Sequence, residues 1–345
     1  MSTYIIGEIG QNHNGSVSLA QKLIDIAAIP IIDEFSNEDL KPLDAIKLTK
    51  RDLSYELTAS QMKQAYNSPH SFGSTYGAHR EALELSDEEH AELYTYAKAK
   101  GLEFVETLCA PTCLSMLKLF TPDKLKVASR DLTNLPLLEA MAETKIPIIL
   151  STGMGGIKEL DDALASISKY HSNISILHCI SEYPAQYKNI NLHTLNYLED
   201  HYSEYVIGYS DHSIGIMIPV AAVAMGAKII EKHITLDRGM KGSDHAGSLE
   251  PNGLWRMVRD IRNLESSFGE KHMFISDAVD SAKYKLERSI ASAIPIKAGE
   301  IITQEMLTLL SPGDGFKWRD KNLVIGKKAM QNIDKHELIY FDLIQ

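Results

Sequence analysis

The sequence predicts a (β/α)8 barrel of the TIM type, followed by a small C-terminal domain. Eight short apolar segments recur within the first 235 residues and alternate with helical segments, the order expected of parallel βαβ units. The apolar segments are nearly continuous, as in strands that are buried on both faces. Seven of the eight carry ionisable or hydroxyl side chains at their carboxyl ends, where barrel enzymes build their active sites.

The eight predicted strands are Tyr4–Gly10, Ala45–Leu48, Phe104–Leu108, Leu125–Ser129, Pro147–Gly153, Ile174–Cys179, Val206–His212 and Ile229–Thr235. The predicted helices between them include Ser18–Ala28, Ser86–Lys100, Leu135–Glu143, Ile157–Lys169 and Ile214–Met225. A doubly wound open sheet is the alternative. It is disfavoured because residues 10–15 lack the glycine spacing of a dinucleotide-binding turn.

Composition excludes several classes of protein. A net charge of -11 argues against wholesale binding of nucleic acid, although local lysines can still bind a small anion. No apolar run reaches the roughly 18 residues of a membrane span, and the first residues carry no basic region, so we expect neither a membrane segment nor a signal peptide. We interpret Cys109, Cys113 and Cys179 as packing residues of a cytoplasmic protein.

Two histidines follow neighbouring predicted strands. Side chains two apart share a face of a strand, and barrel strands lie about 4.8 Å apart, so His212 and His233 are expected to be close neighbours. They are suited to share one divalent cation such as Mn²⁺, with other positions left open. Two hydrogen-bonded histidines at the barrel rim are the alternative.

Two lysines lie within apolar strands. Lys47 and Lys126 need an anionic partner if they are buried, and a phosphate or carboxylate ligand supplies one. Hydroxyl donors that could assist are Ser129, Ser151 and Ser210. An internal ion pair of Lys47 with Glu8 is the alternative, and a Schiff-base lysine is a further one.

Several motifs resemble the N-acetylneuraminate (sialic acid) synthase family. They span nearly the whole predicted barrel, in order. The matching segments are Glu8–Gly15, Thr75–Arg80, Ser151–Met154, His178–Cys179 with Tyr183–Pro184, Gly208–His212, Glu231–Asp237, Lys241–His245 and Ser248–Pro251. The resemblance implies a synthase that joins phosphoenolpyruvate to an N-acylmannosamine-type aldehyde and releases phosphate.

The C-terminal part resembles the family's small β-rich, antifreeze-like (SAF) domain. The implied division is a barrel over residues 1–270, a linker over 271–284 and the small domain over 285–345. Within it we expect a hairpin turn at Ile296–Glu300, a capped helix at Thr303–Met306 and a strand at Leu338–Ile344. The resemblance implies a domain-swapped homodimer in which this domain caps the partner's barrel.

The resemblance also assigns roles to the site residues. It implies that His212 and His233 hold Mn²⁺ or Mg²⁺, that Glu8, Glu231 and Lys47 are catalytic, and that Tyr183 and Asp244 contact the sugar. The residues implied to bind phosphoenolpyruvate are Lys47, Lys126, Ser129, Ser151, Ser181 and Ser210.

Three departures from the family concern the acceptor side. The family's Arg-Pro-Gly loop begins with Ser311 here, so its arginine contact is expected to be missing or to come from Lys317 or Arg319. Arg130 replaces a glycine and is expected to add charge near the site or to pair with Asp131. An acidic segment, residues 29–42, stands in place of a short turn and is expected to form an extended loop.

Three alternatives remain at this stage. The acceptor can be a 6-phosphorylated or diamino sugar, as in synthases of legionaminic or pseudaminic acid. A non-catalytic binding protein on the same fold predicts lost metal or phosphate ligands, yet they are all present. A Schiff-base aldolase predicts covalent trapping of pyruvate on a lysine.

Overall fold

The structure is a computed structural model that describes residues 2–33 and 37–345. The chain divides into two compact units, Met1–Gly269 and Glu270–Gln345. Within the described residues, the first unit contains a closed barrel of eight parallel strands. These strands are β1 (Tyr4–Gly10), β2 (Ala45–Lys50), β3 (Glu103–Leu108), β4 (Lys124–Val127), β5 (Ile148–Ser151), β6 (Ile174–Cys179), β7 (Val206–Asp211) and β8 (Ile229–His233).

The predicted barrel is confirmed. Each strand pairs with the next, and β1 pairs with β8 to close the ring, with Ile6 opposite Glu231. The strand ends differ from the predicted ones by no more than two residues. Most differences lie at the carboxyl ends, where the polar residues were counted as strand but already belong to loops.

Helices surround the barrel. The α-helices of the first unit are Val17–Ala27, Leu53–Glu56, Ala59–Met62, Tyr76–Glu81, Asp87–Ala99, Leu135–Glu143, Ile157–Ile167, Tyr187–Ile190, Thr194–His201, Met217–Ala224 and Pro251–Ser267. Short 3₁₀ helices are Pro111–Lys118, Ser129–Asp131 and His245–Gly247. In the described part of the chain, no helix combines the length and apolarity needed to cross a membrane.

Local sequence explains where these helices begin. Ser86 starts the helix Asp87–Ala99 with a capping box: its hydroxyl accepts from the backbone N–H of Glu89, whose carboxylate accepts from the backbone N–H of Ser86. Asn134 caps the helix Leu135–Glu143 in a related way and is followed by a proline in its first turn.

Alternation along the strands divides the barrel interior into layers. Side chains two residues apart share a face, so each strand sends a residue inward at every second position. The layer at the amino ends is apolar and packs as one cluster: Ile6, Ala45, Val105, Ile149, Leu177 and Ile229. The next layer, two residues on, is polar: Glu8, Lys47, Thr107, Ser151, Cys179 and Glu231. The apolar layer therefore closes the barrel beneath a polar site.

The outward-facing residues form the main core with the helices. Leu23 and Ile24 of the helix Val17–Ala27 are fully buried against it, as are Ile5 and Phe104 on the strands. Each such side chain contributes about 1.5–3 kcal/mol on burial, which fixes the strands that carry the polar layer.

A buried ion pair ties β7 to β8 on the outer side of the barrel. Lys232 and Asp211 are opposite each other in the ladder, both side chains are fully buried, and Nζ lies 2.5 Å from Oδ2. Asp211 also accepts from the Tyr209 hydroxyl at 3.0 Å and from Ser213. The neighbouring inward residues are Ser210, His212, Glu231 and His233. This pair therefore fixes the register of four predicted site residues.

The acidic segment after the first helix differs from the predicted loop. A short antiparallel ladder joins Ile31–Ile32 to Asp39–Leu40. Residues 34–36 of the segment lie outside the described part of the chain.

The second unit has less regular structure than predicted. Strands β9 (Ser289–Ser292) and β10 (Leu307–Leu310) pair antiparallel. The α-helix is Asp280–Leu286, and the 3₁₀ helices are Asp277–Val279, Gln304–Met306, Trp318–Leu323 and Phe341–Leu343. Its core is aliphatic: Ile290, Ile296, Ile302, Leu307, Val324, Ala329, Ile333 and Ile339.

Two expectations for this unit were wrong. The helix at Gln304–Met306 is a single 3₁₀ turn, and the preceding N-cap residue, Thr303, makes no side-chain capping hydrogen bond. The segment 338–344 contributes isolated bridges and a 3₁₀ turn instead of a strand, because its backbone contacts Ala291 and Ala329 at single points. The turn at residues 297–300 is present, with the backbone N–H of Glu300 bonded to the Lys297 carbonyl.

Candidate active site

A cavity of about 440 Å³ opens at the carboxyl ends of the barrel strands. All twelve site residues predicted from the sequence line it: Glu8, Lys47, Lys126, Ser129, Ser151, Ser181, Tyr183, Ser210, His212, Glu231, His233 and Asp244. The barrel thus brings together side chains that are up to 236 positions apart in the chain. Their chemical roles remain predictions, whereas their common location is a feature of the fold.

Two lysines and two glutamates form the floor of the cavity. Lys47 contacts Glu8 directly, and its Nζ lies 3.9 Å from Oε1 of Glu231. Lys126 lies 3.9 Å from the other oxygen of Glu231. All four side chains are at most 7% exposed, so these charges interact in a medium that screens them weakly. The ion pair between Lys47 and Glu8, the alternative raised from sequence, is therefore present.

The two glutamates have very different proton affinities. Burial raises the pKa of Glu8 to about 7, with Glu231 adding to the rise, although Lys47 opposes it. Burial acts the same way on Glu231, but Lys126 and Lys47 outweigh it and lower its pKa to about 2. A pair of carboxyl groups with separated pKa values is the usual arrangement for distinct acid–base roles.

The two lysines also differ. Burial lowers the pKa of Lys126, and Lys47 adds to this effect. For Lys47 the attraction of Glu231 and Glu8 exceeds the effect of burial, so its pKa is raised. Within the described part of the chain, Lys126 hydrogen-bonds two neutral groups, the Ser151 hydroxyl at 2.6 Å and the Val127 carbonyl at 3.1 Å. An anionic ligand would therefore stabilise Lys126 more than Lys47.

Hydroxyl groups surround this cluster. Thr107 accepts from Lys47 at 3.1 Å, and Ser210 donates to Glu231 at 3.1 Å. The hydroxyl oxygen of Ser129 accepts from the backbone N–H of Gly153 at 3.0 Å, and the same side chain hydrogen-bonds the Cys179 thiol.

Gly153 allows these hydroxyls to converge. A Cβ at this position would lie 2.5 Å from the Ser181 hydroxyl and 2.9 Å from that of Ser129. Any larger residue at the end of β5 would push these groups apart. The glycine therefore shapes a small polar pocket between the loops after β4, β5 and β6.

The two histidines face each other across the rim. Their ring centroids are 5.5 Å apart, and the Tyr183 ring lies 4.0 Å from that of His212. Nδ1 of His212 lies 2.8 Å from the Ile180 carbonyl oxygen. A carbonyl oxygen can only accept, so Nδ1 carries the proton and Nε2 keeps its lone pair. Nδ1 of His233 is buried without a hydrogen-bond partner among the described residues.

This pair fits a divalent metal ion. A backbone carbonyl that orients one imidazole is a frequent companion of metal-binding histidines, and an unpartnered buried imidazole nitrogen is otherwise unfavourable. The described residues contain no group of three or more histidine, cysteine or carboxylate ligands. A divalent ion held by these two histidines would therefore have other positions open to ligands, as in catalytic metal sites.

Asp244 borders the histidines on the outer side of the cavity. Burial works against its charge, but His233, the Ser243 hydroxyl and Arg80 together hold its pKa below the ordinary value. A smaller adjoining cavity of about 270 Å³ lies beside it and is lined by His70, Ala246 and Gly247 as well as by both histidines. This side has room for a second ligand.

Sequence reasoning missed several residues that line the cavity. They are Gln11, Thr49, Arg51, Tyr66, Arg80, Thr107, Met154 and Ser243. Thr107 was detectable, since it lies two residues after inward-facing Val105 on β3. Arg80 was part of a recognised motif but received no role. Thr49 and Arg51 were detectable in the same way as Thr107, since they follow Lys47 at two-residue steps along and just after β2. Tyr66 carried no signal, because it lies in a loop between two short helices.

The interpretation of the cysteines as packing residues was incomplete. Cys179 lines the cavity, with its sulfur 3.8 Å from Nδ1 of His212. Burial disfavours its thiolate, but His212 and Lys126 outweigh this and lower its pKa. Cys109 accepts a hydrogen bond from Arg130 at 2.6 Å, and Arg130 also lies 3.2 Å from Asp131. Both expectations for Arg130, charge at the site and a local pair, therefore hold.

Comparison with known proteins agrees with this geometry. A model of the NeuB family matches residues 41–273, and a model of the SAF domain matches residues 287–345. The chain belongs to the NeuB family. It is 33% identical to N-acetylneuraminate-9-phosphate synthase of Homo sapiens, over 99% of this chain and 92% of that protein.

Other relatives carry related names. The chain is 35% identical to N,N'-diacetyllegionaminic acid synthase of Campylobacter jejuni, over 98% of each protein. Among solved structures, N-acetylneuraminic acid (sialic acid) synthetase of Leptospira borgpetersenii, in complex with citrate, matches with a TM-score of 0.66 and 33% identity. The match covers 82% of this chain and 90% of that one. These relatives confirm the predictions of an enzyme of the acid synthase class and of a C-terminal SAF domain.

Proposed function

We propose that this NeuB-family enzyme condenses phosphoenolpyruvate with the open-chain aldehyde of an N-acylmannosamine-type sugar, forming a nonulosonic acid and releasing phosphate. The observation that carries the proposal is the floor of the cavity, where Lys47 contacts Glu8 directly but the nearest carboxylate oxygen to Lys126 among the described residues, on Glu231, is 3.9 Å away. The relatives' names, which refer to sialic and legionaminic acids, support this product class.

In this proposal the phosphate and carboxylate of phosphoenolpyruvate lie against the floor. Lys47 and Lys126 provide positive charge. Hydroxyl donors come from Ser129, Ser151, Ser181 and Ser210. Hydrogen bonds to a charged ligand are worth about 1.5–3 kcal/mol each, so binding here supplies both affinity and orientation.

The acceptor lies toward the rim. Tyr183 and Asp244 contact the sugar, and its aldehyde is directed to the two histidines. His212 and His233 would hold a divalent metal, Mn²⁺ or Mg²⁺, which supplies Lewis-acid polarisation of the aldehyde oxygen when bound. A carbon–carbon bond then forms between C3 of phosphoenolpyruvate and the aldehyde carbon. The π bond of the aldehyde breaks, and its oxygen takes up a proton from solvent to become a hydroxyl group.

The two glutamates have separate tasks in this scheme. Bond formation leaves positive charge at C2 of the former phosphoenolpyruvate, and the ionised Glu231 stabilises it. A water molecule adds to C2, and Glu8 accepts its proton, as suits a carboxyl group whose pKa is raised to about 7. The C2–O bond to phosphate then breaks, leaving the 2-keto acid and inorganic phosphate.

A Schiff-base aldolase is the second candidate, because the pKa of Lys126 is lowered and a neutral amine is nucleophilic. Borohydride treatment in the presence of pyruvate separates the two. We expect the intact mass of the protein to stay unchanged, whereas a reduced adduct on Lys126 would favour the aldolase.

The direct test measures loss of phosphoenolpyruvate with Mn²⁺ and three acceptors: N-acetylmannosamine, its 6-phosphate and a diacetamido hexose. His233→Ala should abolish turnover, and His193→Ala, which alters an exposed histidine outside the cavity, should not. Loss of phosphoenolpyruvate that is independent of metal and unaffected by His233→Ala would contradict the assignment of the histidines. No loss with any acceptor would contradict the proposed reaction.

We also propose a cytoplasmic homodimer. Three free cysteines are typical of a reducing compartment. Large apolar side chains of the second unit are exposed, among them Phe341 at 77% and Met330 at 55%, which favours a covered face. Light scattering after size exclusion should give twice the 38.4 kDa chain mass, and a monomer would contradict the dimer.

A further inference from the structure

Arg80 differs from every other basic residue of the cavity in the described part of the chain. The lysines and arginines that line the cavity are Lys47, Arg51, Arg80, Lys126 and Arg130. All except Arg80 form ion pairs: Lys47 with Glu8, Arg51 with Glu56, Lys126 with Glu231, and Arg130 with Asp131. Arg80 makes none with any described residue.

Neutral groups hold the Arg80 side chain in place. Nε and Nη2 donate to the Tyr76 hydroxyl at 3.0 and 2.8 Å, and Nη1 donates to the Gln11 side-chain carbonyl at 2.5 Å. The guanidinium also lies 5.0 Å from the centre of the Tyr76 ring. These contacts fix the orientation of the group, leave it without a direct ion pair to a described residue, and leave some of its N–H donors free.

Arg80 lies on the acceptor side of the cavity. It interacts electrostatically with Asp244, whose pKa it helps to lower together with His233. Asp244 therefore lies within electrostatic reach of both the proposed metal site and Arg80. A ligand whose aldehyde is at the histidines would extend past Asp244 and place its far end near this guanidinium.

We propose that Arg80 binds a phosphate monoester on the acceptor carbon farthest from the aldehyde, so that the substrate is a hexosamine 6-phosphate. This inference rests on the proposed condensation. The fork of N–H groups in a guanidinium matches the oxygens of a phosphate, and a fixed guanidinium without a carboxylate is prepared for such a ligand.

Carbon numbering gives the product. The three carbons of phosphoenolpyruvate become C1 to C3, so the acceptor's C1 becomes C4 and its C6 becomes C9. A 6-phosphorylated acceptor would therefore give a 9-phosphate. Two relatives, from Homo sapiens and Mus musculus, are named N-acetylneuraminate-9-phosphate synthases.

The test compares N-acetylmannosamine with its 6-phosphate by following loss of phosphoenolpyruvate, which the acceptor's own phosphate does not disturb. The quantity compared is the ratio of kcat/KM for the phosphorylated acceptor to that for the unphosphorylated one. The full-length protein should favour the phosphorylated acceptor by at least about 10-fold, mostly through KM. Arg80→Gln should reduce this ratio on the order of 10- to 100-fold.

Arg259→Gln is the matched control, since Arg259 also lies over an aromatic ring, that of Trp255, but outside the cavity. Its ratio should equal that of the unaltered protein. Tyr76→Phe, which removes the hydroxyl that holds Arg80 and keeps the ring, should give an intermediate ratio.

Equal use of both acceptors by the unaltered protein would overturn the inference without any variant, while leaving the condensation intact. An Arg80→Gln variant that raises KM for phosphoenolpyruvate and keeps the acceptor ratio would overturn it as well, by assigning Arg80 to the other substrate. Absence of turnover with either acceptor would instead refute the proposed function on which the inference rests.

Discussion

Replacing Lys232 by methionine should destabilise the barrel and reduce turnover, although Lys232 does not line the cavity. The change leaves the Asp211 carboxylate fully buried without its cation. Breaking a buried ion pair in this way costs about 3–5 kcal/mol. Asp211 keeps three hydrogen-bond donors, the Tyr209 hydroxyl and both the backbone N–H and hydroxyl of Ser213, so we expect about 3 kcal/mol.

The loss of activity follows from the register of β7 and β8. Lys232 and Asp211 are paired in the ladder, one residue away from His233 and Glu231 on one strand and from Ser210 and His212 on the other. A displacement of about 1 Å at such residues lowers turnover on the order of 100-fold. The assay combines urea unfolding with steady-state turnover of phosphoenolpyruvate.

Two controls separate this effect from a general loss of charge. Lys169→Met breaks a pair of similar distance, 2.7 Å to Glu139, in which the lysine is 61% exposed, and should cost less than about 1 kcal/mol. Adding Asp211→Asn to Lys232→Met removes the unpaired charge and should restore part of the stability. A free energy of unfolding for Lys232→Met within about 1 kcal/mol of the unaltered protein would refute the reasoning.

Three further predictions concern single residues. His212→Ala should weaken Mn²⁺ binding at least about 10-fold by calorimetry, and unchanged affinity would exclude it as a ligand. Thr107→Val keeps the shape and removes the hydrogen bond to Lys47, so KM for phosphoenolpyruvate should rise about 10-fold; an unchanged KM would exclude Thr107 from that subsite. Burial, assisted by His90, lowers the pKa of His13 from its ordinary value of 6.5 to about 3. As the pH falls below 6.5, this histidine therefore becomes protonated in the unfolded chain but stays neutral in the folded protein. The free energy of unfolding should therefore drop by about 1.4 kcal/mol per pH unit through this group, and His13→Asn should remove that share of the slope in urea unfolding at pH 7.5 and 5.5. An unchanged slope would contradict the assignment.

Barrel and site were predictable because two periodicities coincide in this sequence. Apolar strands alternate with helices, which indicates the barrel, and side chains two residues apart share a face, which places Glu231 beside His233 and Ser210 beside His212. Such patterns depend on position within a strand. They did not single out Thr107, although it lies on β3, and the loop residues Ser181, Tyr183 and Asp244 were predicted only from the family resemblance.

The second unit shows the limit of the same approach. Its chain makes isolated bridges, such as Ile296 with Ile333 and Ile301 with Lys328, between segments that never run side by side for long. A period of two needs several paired residues to become visible in a sequence. The resemblance of its sequence to the family's small domain, and not a hydrophobic pattern, therefore carried the prediction of this unit.

Lys47 can form its ion pair with Glu8 and still take part in binding an anionic ligand, although the two were alternatives on sequence alone. A buried lysine is unfavourable when its charge has no partner, so a site for an anion must stabilise its cations before the ligand arrives. Glu8 does this for Lys47 at direct contact, whereas Glu231 lies 3.9 Å from both lysines. Lys126 is thus stabilised enough to be buried yet keeps its closest positions for a ligand.

The same reasoning distinguishes Arg80, which is half-buried at the rim, where a charged side chain is tolerated without a carboxylate partner. The lysines at the floor are thus paired with glutamates, whereas the arginine at the rim has no ion pair with a described residue. This arrangement suits an enzyme in which one anionic substrate binds at the floor and the second binds at the rim.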